Sequence, residues 1–465
     1  MKRVTTMAAA VAAVVVFAGL SACSSGTPST SDTGSKTLTV WSLEEQPDRL
    51  AKAQADADAF TKQTGIKVKL VGVNEDQFPQ LITAAAAANT LPDVVGALPL
   101  AAVRTMSGSD LVNSDAMAAV VTSLGAGTFS KASLSLTKDG GKQVGVPSDG
   151  FPLSIIYRKD LLAKAGLPAP TDWDTLLSDA KALNSPDLAG FVAGDSPSTS
   201  YTQQIFEWLA LANGCQIVNT AGKVTLTSKA CVDALSMYGQ LTHDYSVPGA
   251  MDSTSTKTTY MAGKAAITVW ASFILDEMGG LVNDAKPTCP ECTADPQFIA
   301  KNSGFVTSFS GPDGSTAVSG GDVTSWVISS TAHAAESQKF VEYFMSTGYE
   351  QWLSQAPEGK FPTRLGTTDD PQKYVDGWKQ LEVGVDTKAK LTSIYPASVL
   401  NSLQEGVGSF DRWGFKQGQG NLMGAILTEL PVPKAVAEVA TGQSTAKAAA
   451  TEAAQAVTSI QSSLQ

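Results

Sequence analysis

The chain has 465 residues, 43% hydrophobic and 17% charged, with 44 acidic against 33 basic side chains and a formal net charge of −11. An acidic chain without a Lys/Arg cluster is a poor partner for nucleic acid or anionic lipid headgroups, and this length can hold two or more domains with sizeable cores. Past the first stretch there is no run of about 18 apolar residues, the length a spanning helix needs, and no internal repeat.

Lys2 and Arg3 precede an apolar run from Met7 to Leu20, then Leu20-Ser21-Ala22-Cys23, then a Ser/Thr/Gly-rich stretch to Ser35. A charged start, a short apolar core and small residues before a cleavage point make residues 1–22 a secretory signal. The cysteine directly after them makes it a lipoprotein signal, cut before Cys23, with lipid on that residue. Residues 23–35 would then be a flexible tether. The plainer alternative is an ordinary signal with a chance cysteine. On the lipoprotein reading the protein works on the extracellular face of the cell membrane, and its charge becomes −13 once the two basic residues of the signal are gone.

Cys215, Cys231, Cys289 and Cys292 remain. An even number in an exported chain suggests disulfides. Cys215 and Cys231 flank Gln216–Thr227, which reads as a hairpin around Ala221-Gly222, so pairs 215–231 and 289–292 are expected. Cys289-Pro-Glu-Cys292 has redox-motif spacing, but thioredoxin-like chemistry needs a helix start after a strand. Lys286-Pro287 and Pro290 make a loop staple the simpler reading, and one such pair without nearby His is a weak zinc signal.

Thr37–Trp41 alternates as a strand. Pro47–Gln63 carries Leu50, Ala53, Ala57 and Phe60 on one helical face, with Gly65 placed to end it. Ile66–Val73 is a second strand, Gln80–Ala88 an Ala-rich helix, and Asp93–Leu98 a third strand. This β-α-β-α-β order opens a parallel sheet covered by helices. Ligands of such sheets bind outside the carboxyl ends of the strands, here Trp41–Gln46, Asn74–Gln77 and Gly96–Leu98. Further on, Phe151–Arg158 is a strand and Lys159–Ala165 a helix ended by Gly166. Thr171 is expected to cap the next helix, with Trp173 as a packing residue. Gly190–Gly194, Met261–Trp270 and Gly320–Ser330 read as strands. Tyr201–Leu211, Val232–Leu241 and His333–Phe344 read as helices, and the Ala-rich tail from Lys434 as helix packed outside.

Four stretches carry a resemblance to the extracellular solute-binding proteins of family 1, the sugar-binding lipoproteins of ABC importers. They are the opening strand–Trp41–helix–Gly65-Ile-Lys-Val; Ala-Asn-Thr-Leu-Pro92-Asp93-Val-Val; Val146-Pro147 through Tyr157-Arg158-Lys159-Asp160 to Gly166-Leu-Pro and Thr171-Asp-Trp173-Asp174; and Gly263-Lys264-Ala265-Ala266-Ile267 with Gly321…Trp326-Val-Ile-Ser and Phe361-Pro362-Thr363-Arg364. Arg158 stands where the family usually has Asn. The resemblance implies an α/β, two-lobe periplasmic-binding-protein-like fold (type II), maltose-binding-protein-like, with a hinge crossed about three times. Mapped here, lobe one is 36–147 plus 267–323, lobe two is 148–266 plus 324–430, and 431–465 is a C-terminal helical segment. The crossings are expected at Ser148–Gly150, Ile267–Trp270 and Asp322–Trp326. Hinge closure on a ligand is a known repertoire of such proteins.

Sugars present hydroxyls and an apolar ring face, so their sites combine aromatic platforms with carboxylates and amides. The candidate aromatic residues are Trp41, Trp270, Trp326, Tyr395 and Trp413, and the candidate polar residues Glu44, Asn74, Asp149, Asp195 and Arg364. Each also has a structural reading, as core anchor or salt-bridge partner. Catalysis finds little support. The two histidines, His243 and His333, lie in no nucleophile motif. Gly194-Asp195-Ser196 has no matching His block, and Gly418-Gln-Gly420 lacks the third glycine of a dinucleotide loop. The expected function is therefore a non-enzymatic, monomeric, lipid-anchored receptor. It captures a sugar or oligosaccharide and delivers it to an ABC transporter membrane permease, without cofactor, metal or nucleic acid. An exported hydrolase or sensory lipoprotein on the same fold, or a receptor for a peptide or polyamine, is the alternative.

Overall fold

A computed structural model describes residues 37–464. The signal, Cys23 and the tether lie outside the described residues. Residues 36–465 form one compact unit.

Nine strands make the main sheet: β1 (Thr37–Ser42), β2 (Lys67–Gly72), β3 (Val94–Pro99), β4 (Val146–Arg158), β5 (Ala189–Val192), β6 (Ala265–Ala271), β7 (Ser303–Val306), β8 (Gly321–Ile328) and β9 (Phe361–Pro362). β1 buries Leu38, Val40 and Ser42 and leaves the alternate side chains more exposed, as its period of two requires. The helix Pro47–Thr64 starts on proline, whose missing N–H costs nothing there. It buries Ala53, Ala57 and Phe60 and stops at Gly65, whose φ of 76° is left-handed. β1 then pairs in parallel with β2 and β3, the expected opening unit.

β4 organises the rest. It runs for 13 residues and is buried along almost its whole length. Its first half, from Val146 to Pro152, pairs with β8, whose other edge pairs with β3. Its second half, from Leu153 to Arg158, pairs with β6 and β7, and β6 pairs in parallel with β5. The resulting order is β2-β1-β3-β8-β4-β6-β5, with β7 and β9 also on β4. Lobe one is built on β1, β2, β3 and β8, lobe two on β5, β6 and β7, and β4 belongs to both. The fold is α/β and two-lobed.

The expected assignment of the later segments to lobes is reversed by these pairings. Residues 267–271 and 303–306, placed by 267–323 in lobe one, lie beside the second half of β4. β8, mostly inside the expected lobe-two segment 324–430, completes the lobe-one sheet. Helix Ala334–Phe344 follows it there, packed on helices Pro47–Thr64 and Ser114–Leu124, and helix Gly420–Glu429 lies on helix Leu100–Gly108. A buried strand carries no mark in its own sequence of which edge it joins. On these pairings the chain changes lobe within β4 and again on entering β8. The expected crossing at Ile267–Trp270 is instead the end of a lobe-two strand.

Two local expectations also shift. Asp172, not Thr171, caps helix Trp173–Leu183, in a reciprocal box with Thr175. Trp173 is buried, as expected. The C-terminal helices begin at Pro431, because Leu430 takes a left-handed φ of 54°, and Pro431–Ala440 and Ala446–Ser463 pack on helix Lys229–Asp244. Both disulfides, Cys215–Cys231 and Cys289–Cys292, are present. No described helix is long and apolar enough to cross a membrane.

Candidate ligand cleft

The carboxyl ends of β1 and β2 bring Glu44, Glu45, Asn74 and Glu75 together at the edge of lobe one. Glu44 is held from two sides, by Lys360 Nζ at 2.6 Å and Arg49 Nη1 at 2.8 Å. Burial alone would raise its pKa, but the two cations outweigh burial and bring it down to about 2. Lys360 is almost fully buried, with its ammonium 4.3 Å above the Trp352 ring. It also reaches Asp149 Oδ1 at 3.4 Å, while Trp352 Nε1 and Ser148 Oγ donate to Asp149 Oδ2, each at 2.7 Å. Glu44 at the rim and Asp149 inside β4 are thus joined through one buried lysine.

Asn74 donates to Glu45 at 2.7 Å and accepts from the Asp76 N–H, which fixes the turn after β2. Glu75 beside it has a raised pKa, from burial first and then from Asp322, Asp76 and Glu44. Asp322 belongs to an ion triad between the lobes. Arg412 bonds Glu207 through Nε and Asp322 through Nη1, both at 2.8 Å, and the Trp413 N–H also bonds Glu207. Glu207 is on lobe-two helix Ser200–Ala212 and Asp322 is on β8. The triad ties helix Ser200–Ala212 to β8.

Four half-buried aromatic rings form two pairs. Phe151, in mid-β4, lies 5.3 Å from Phe273, and Trp270, at the end of β6, lies 4.6 Å from Tyr201. Tyr201 is anchored by its hydroxyl on the Val269 carbonyl. Phe273 lies flat on Gly359 of lobe one, where a Cβ would fall 1.8 Å from the ring. Glycine is required there for the two lobes to approach.

Of the candidates named from sequence, Glu44 and Asp149 are joined through Lys360, Asn74 bonds Glu45, Trp270 lies against Tyr201 at the end of β6, and Trp41 is half-buried at the end of β1. Five others are tied into the framework. Trp326 is 1% exposed, packed among Phe340, Phe344 and Trp352. Tyr395 is buried with its hydroxyl on the Leu275 carbonyl, and Trp413 with its Nε1 on the Cys215 carbonyl. Arg364 is buried, with its guanidinium spread over the Met345 and Leu124 carbonyls and the Thr128 hydroxyl. Asp195 accepts from the Met251 N–H, and burial pushes its pKa up to about 6. Tyr395, Trp413, Arg364 and Asp195 bond the backbone or neighbouring side chains, while Trp326, whose Nε1 has no hydrogen-bond partner among the described residues, is held by ring packing. Lys360, Phe151, Phe273 and Arg412 were missed. Phe273 lies only three residues past Trp270, so the signal was an aromatic just beyond a strand end. Both histidines serve packing: His333 bonds Asp93, and His243 bonds the Ala440 carbonyl. No described group of three or more His, Cys, Asp or Glu is placed to hold a metal ion.

The bacterial extracellular solute-binding protein family matches residues 44–351 of this sequence. The chain belongs to that family. Among curated relatives, YcjN of Escherichia coli K12, named as an ABC transporter periplasmic-binding protein, is 30% identical over 305 residues, 64% of this chain and 66% of its own length. The matched stretch thus spans just under two thirds of that relative. Among solved structures, the GacH receptor of Streptomyces glaucescens, determined unliganded and with acarbose, superposes with a TM-score of 0.65 at 18% identity, over 92% of this chain and 98% of that one. A Thermotoga lettingae solute-binding protein bound to α-D-tagatose gives 0.67 at 18% identity, over 92% and 100%. An Arthrobacter chlorophenolicus sugar transporter protein with laminaribiose gives 0.66 at 17% identity, over 91% and 99%. Identities this low speak for the shared two-lobe fold.

Proposed function

We propose that this solute-binding protein captures a sugar or oligosaccharide between its lobes and hands it to the permease of an ABC importer, anchored to the outer face of the membrane through lipid on Cys23. The observation that carries the ligand class is the pairing of half-buried rings, Phe151, Phe273, Trp270 and Tyr201, with Glu44, an acceptor kept ionised by two cations. Rings suit the apolar face of a pyranose, and a fixed carboxylate suits its hydroxyls. The sugars bound by the structural neighbours agree with this chemistry. In the proposed cycle, ligand docks on one lobe, and closure adds the contacts of the other. Ligand drives closure only by its extra affinity for the closed form.

The test is thermal unfolding of residues 36–465 against a panel of mono- and oligosaccharides. A ligand that binds the folded state raises the midpoint by mass action. A rise with one sugar class, and recovery of that sugar unchanged, supports the receptor reading. A product formed from the sugar would make the protein a hydrolase. No rise with any sugar would end the carbohydrate assignment and point to a peptide or polyamine. Mass spectrometry of the N-terminal peptide from membranes tests lipidation of Cys23.

A further inference from the structure

β6 ends at Ala271, opposite Leu153, one residue beyond the last β4–β8 pair at Pro152. Phe273 follows two residues later, where the sheet of one lobe gives way to that of the other. Its chain neighbours Ser272 and Ile274 are both buried. Its own ring is half-buried and packs on Phe151 of β4, with centroids 5.3 Å apart. Against the ring lies Gly359. A Cβ built there would stand 1.8, 2.1 and 2.3 Å from three of the ring atoms. Gly359 does not take a left-handed φ, so what glycine supplies here is space. Gly359 belongs to lobe one: helix Tyr349–Leu353 before it packs on helix Pro47–Thr64, the Ser354 carbonyl accepts from Lys52 of that helix, and Lys360 after it bonds Glu44. Phe273 belongs to lobe two, because β6 pairs with β5 and with the second half of β4. β6 runs parallel to β5 and reaches the contact at its carboxyl end, the side on which such sheets hold ligand.

We propose that Gly359 and Phe273 form the closing stop of the two lobes: the ring comes to rest on bare backbone, and the size of the side chain at 359 sets how far the lobes close. Non-bonded carbon atoms rest about 3.5–4.0 Å apart, so a β-carbon at 359 obliges the ring to withdraw by about 2 Å. Phe151 beside the ring and the buried residues on either side of it limit its retreat within lobe two. Close-packed surroundings of this kind transmit a displacement instead of absorbing it. The retreat left to the ring is movement of lobe two as a body about the hinge in β4. A larger side chain at 359 therefore shifts the equilibrium towards the open form, and a ligand must supply more differential affinity to close it. This inference rests on the proposed closure of the lobes and not on a sugar as the ligand.

The experiment places a donor and an acceptor dye on Thr83→Cys in lobe one and Lys164→Cys in lobe two, both exposed, in residues 36–465. Single-molecule energy transfer then counts closed, high-transfer molecules against open ones, with no sugar present. The expected result is that Gly359→Val lowers the closed-to-open ratio about tenfold. In a Phe273→Ala background the same substitution leaves the ratio unchanged, because the missing ring makes room for the added side chain. Circular dichroism checks that each variant is folded. Gly359→Ala, whose single methyl already meets the ring, takes the place of Gly359→Val if that variant is not. An unchanged ratio in a folded Gly359 variant means that the ring swings aside without moving the lobe, and overturns the stop. An equal fall with and without the Phe273 ring overturns it too. Because no ligand enters the measurement, its failure is separate from failure of the sugar reading.

Discussion

Lys360→Met offers a direct test of how the cleft is held together. Methionine keeps the length and apolar stem of the lysine and removes only the charge. The pKa of Glu44 falls from 4.5 to about 2 in the folded protein, despite burial, because Lys360 and Arg49 favour its ionised form. At ~1.4 kcal/mol per unit this is worth about 3 kcal/mol of stability. It is fully present above pH 4.5 and is lost as pH falls towards 2. Lys360 supplies roughly half of it, and its loss also leaves the Asp149 carboxylate, 1% exposed, without a nearby cation. Stranding one member of a buried ion pair costs about 3–5 kcal/mol. The expected destabilisation at pH 7 is therefore in that range, read from urea titration of the fluorescence to which Trp352 contributes. The gap between variant and wild type should narrow as pH falls from 4.5 towards 2. Adding Asp149→Asn should recover part of the loss. A variant within about 1 kcal/mol of wild type at pH 7, or a gap unchanged in acid, would refute the reasoning.

Replacing both Cys215 and Cys231 with Ser opens a crosslink between residues 16 apart and should cost about 3 kcal/mol by loop entropy, measured by urea unfolding. Asp179 is fully buried, and burial raises its pKa to about 6 against the opposing effect of the Ser178 hydroxyl, so wild-type stability should fall as pH rises from about 4 to about 6. Asp179→Asn should then be more stable than wild type at pH 7 by about 1–3 kcal/mol, with the difference vanishing near pH 3; equal stability at pH 7 would contradict this. Gly96→Ala puts a methyl 2.3 Å from the Trp326 ring and should destabilise by about 1–3 kcal/mol in the same assay. Trp270→Ala should weaken binding of whichever sugar shifts the thermal midpoint by about tenfold, with the unliganded midpoint little changed; unaltered affinity would remove Trp270 from the site.

Local chemistry explains why much of the first lobe could be read early. The alternation in Thr37–Trp41, the apolar stripe ending at Phe60 and the left-handed stop at Gly65 are each decided by a few neighbouring residues. The same holds for the cysteine pairs, because the Gln216–Thr227 hairpin brings its own ends together. The site was less legible. Trp326 and Trp270 both sit in buried-looking strands, yet one is sealed among Phe340, Phe344 and Trp352 while the other stacks on Tyr201 at the cleft. A period of two says that a strand has two faces, not which face meets the other lobe.

The sequence by itself determined the opening β-α-β-α-β elements, the two disulfide pairs and the family, because each rests on short-range pattern or on ordered motifs along the chain. Tertiary structure alone decided which lobe β6 and β8 join, because strand edges are chosen by partners distant in the sequence. It also decided that Lys360 lies between Glu44 and Asp149. Such charges draw their roles from groups that only folding brings within reach.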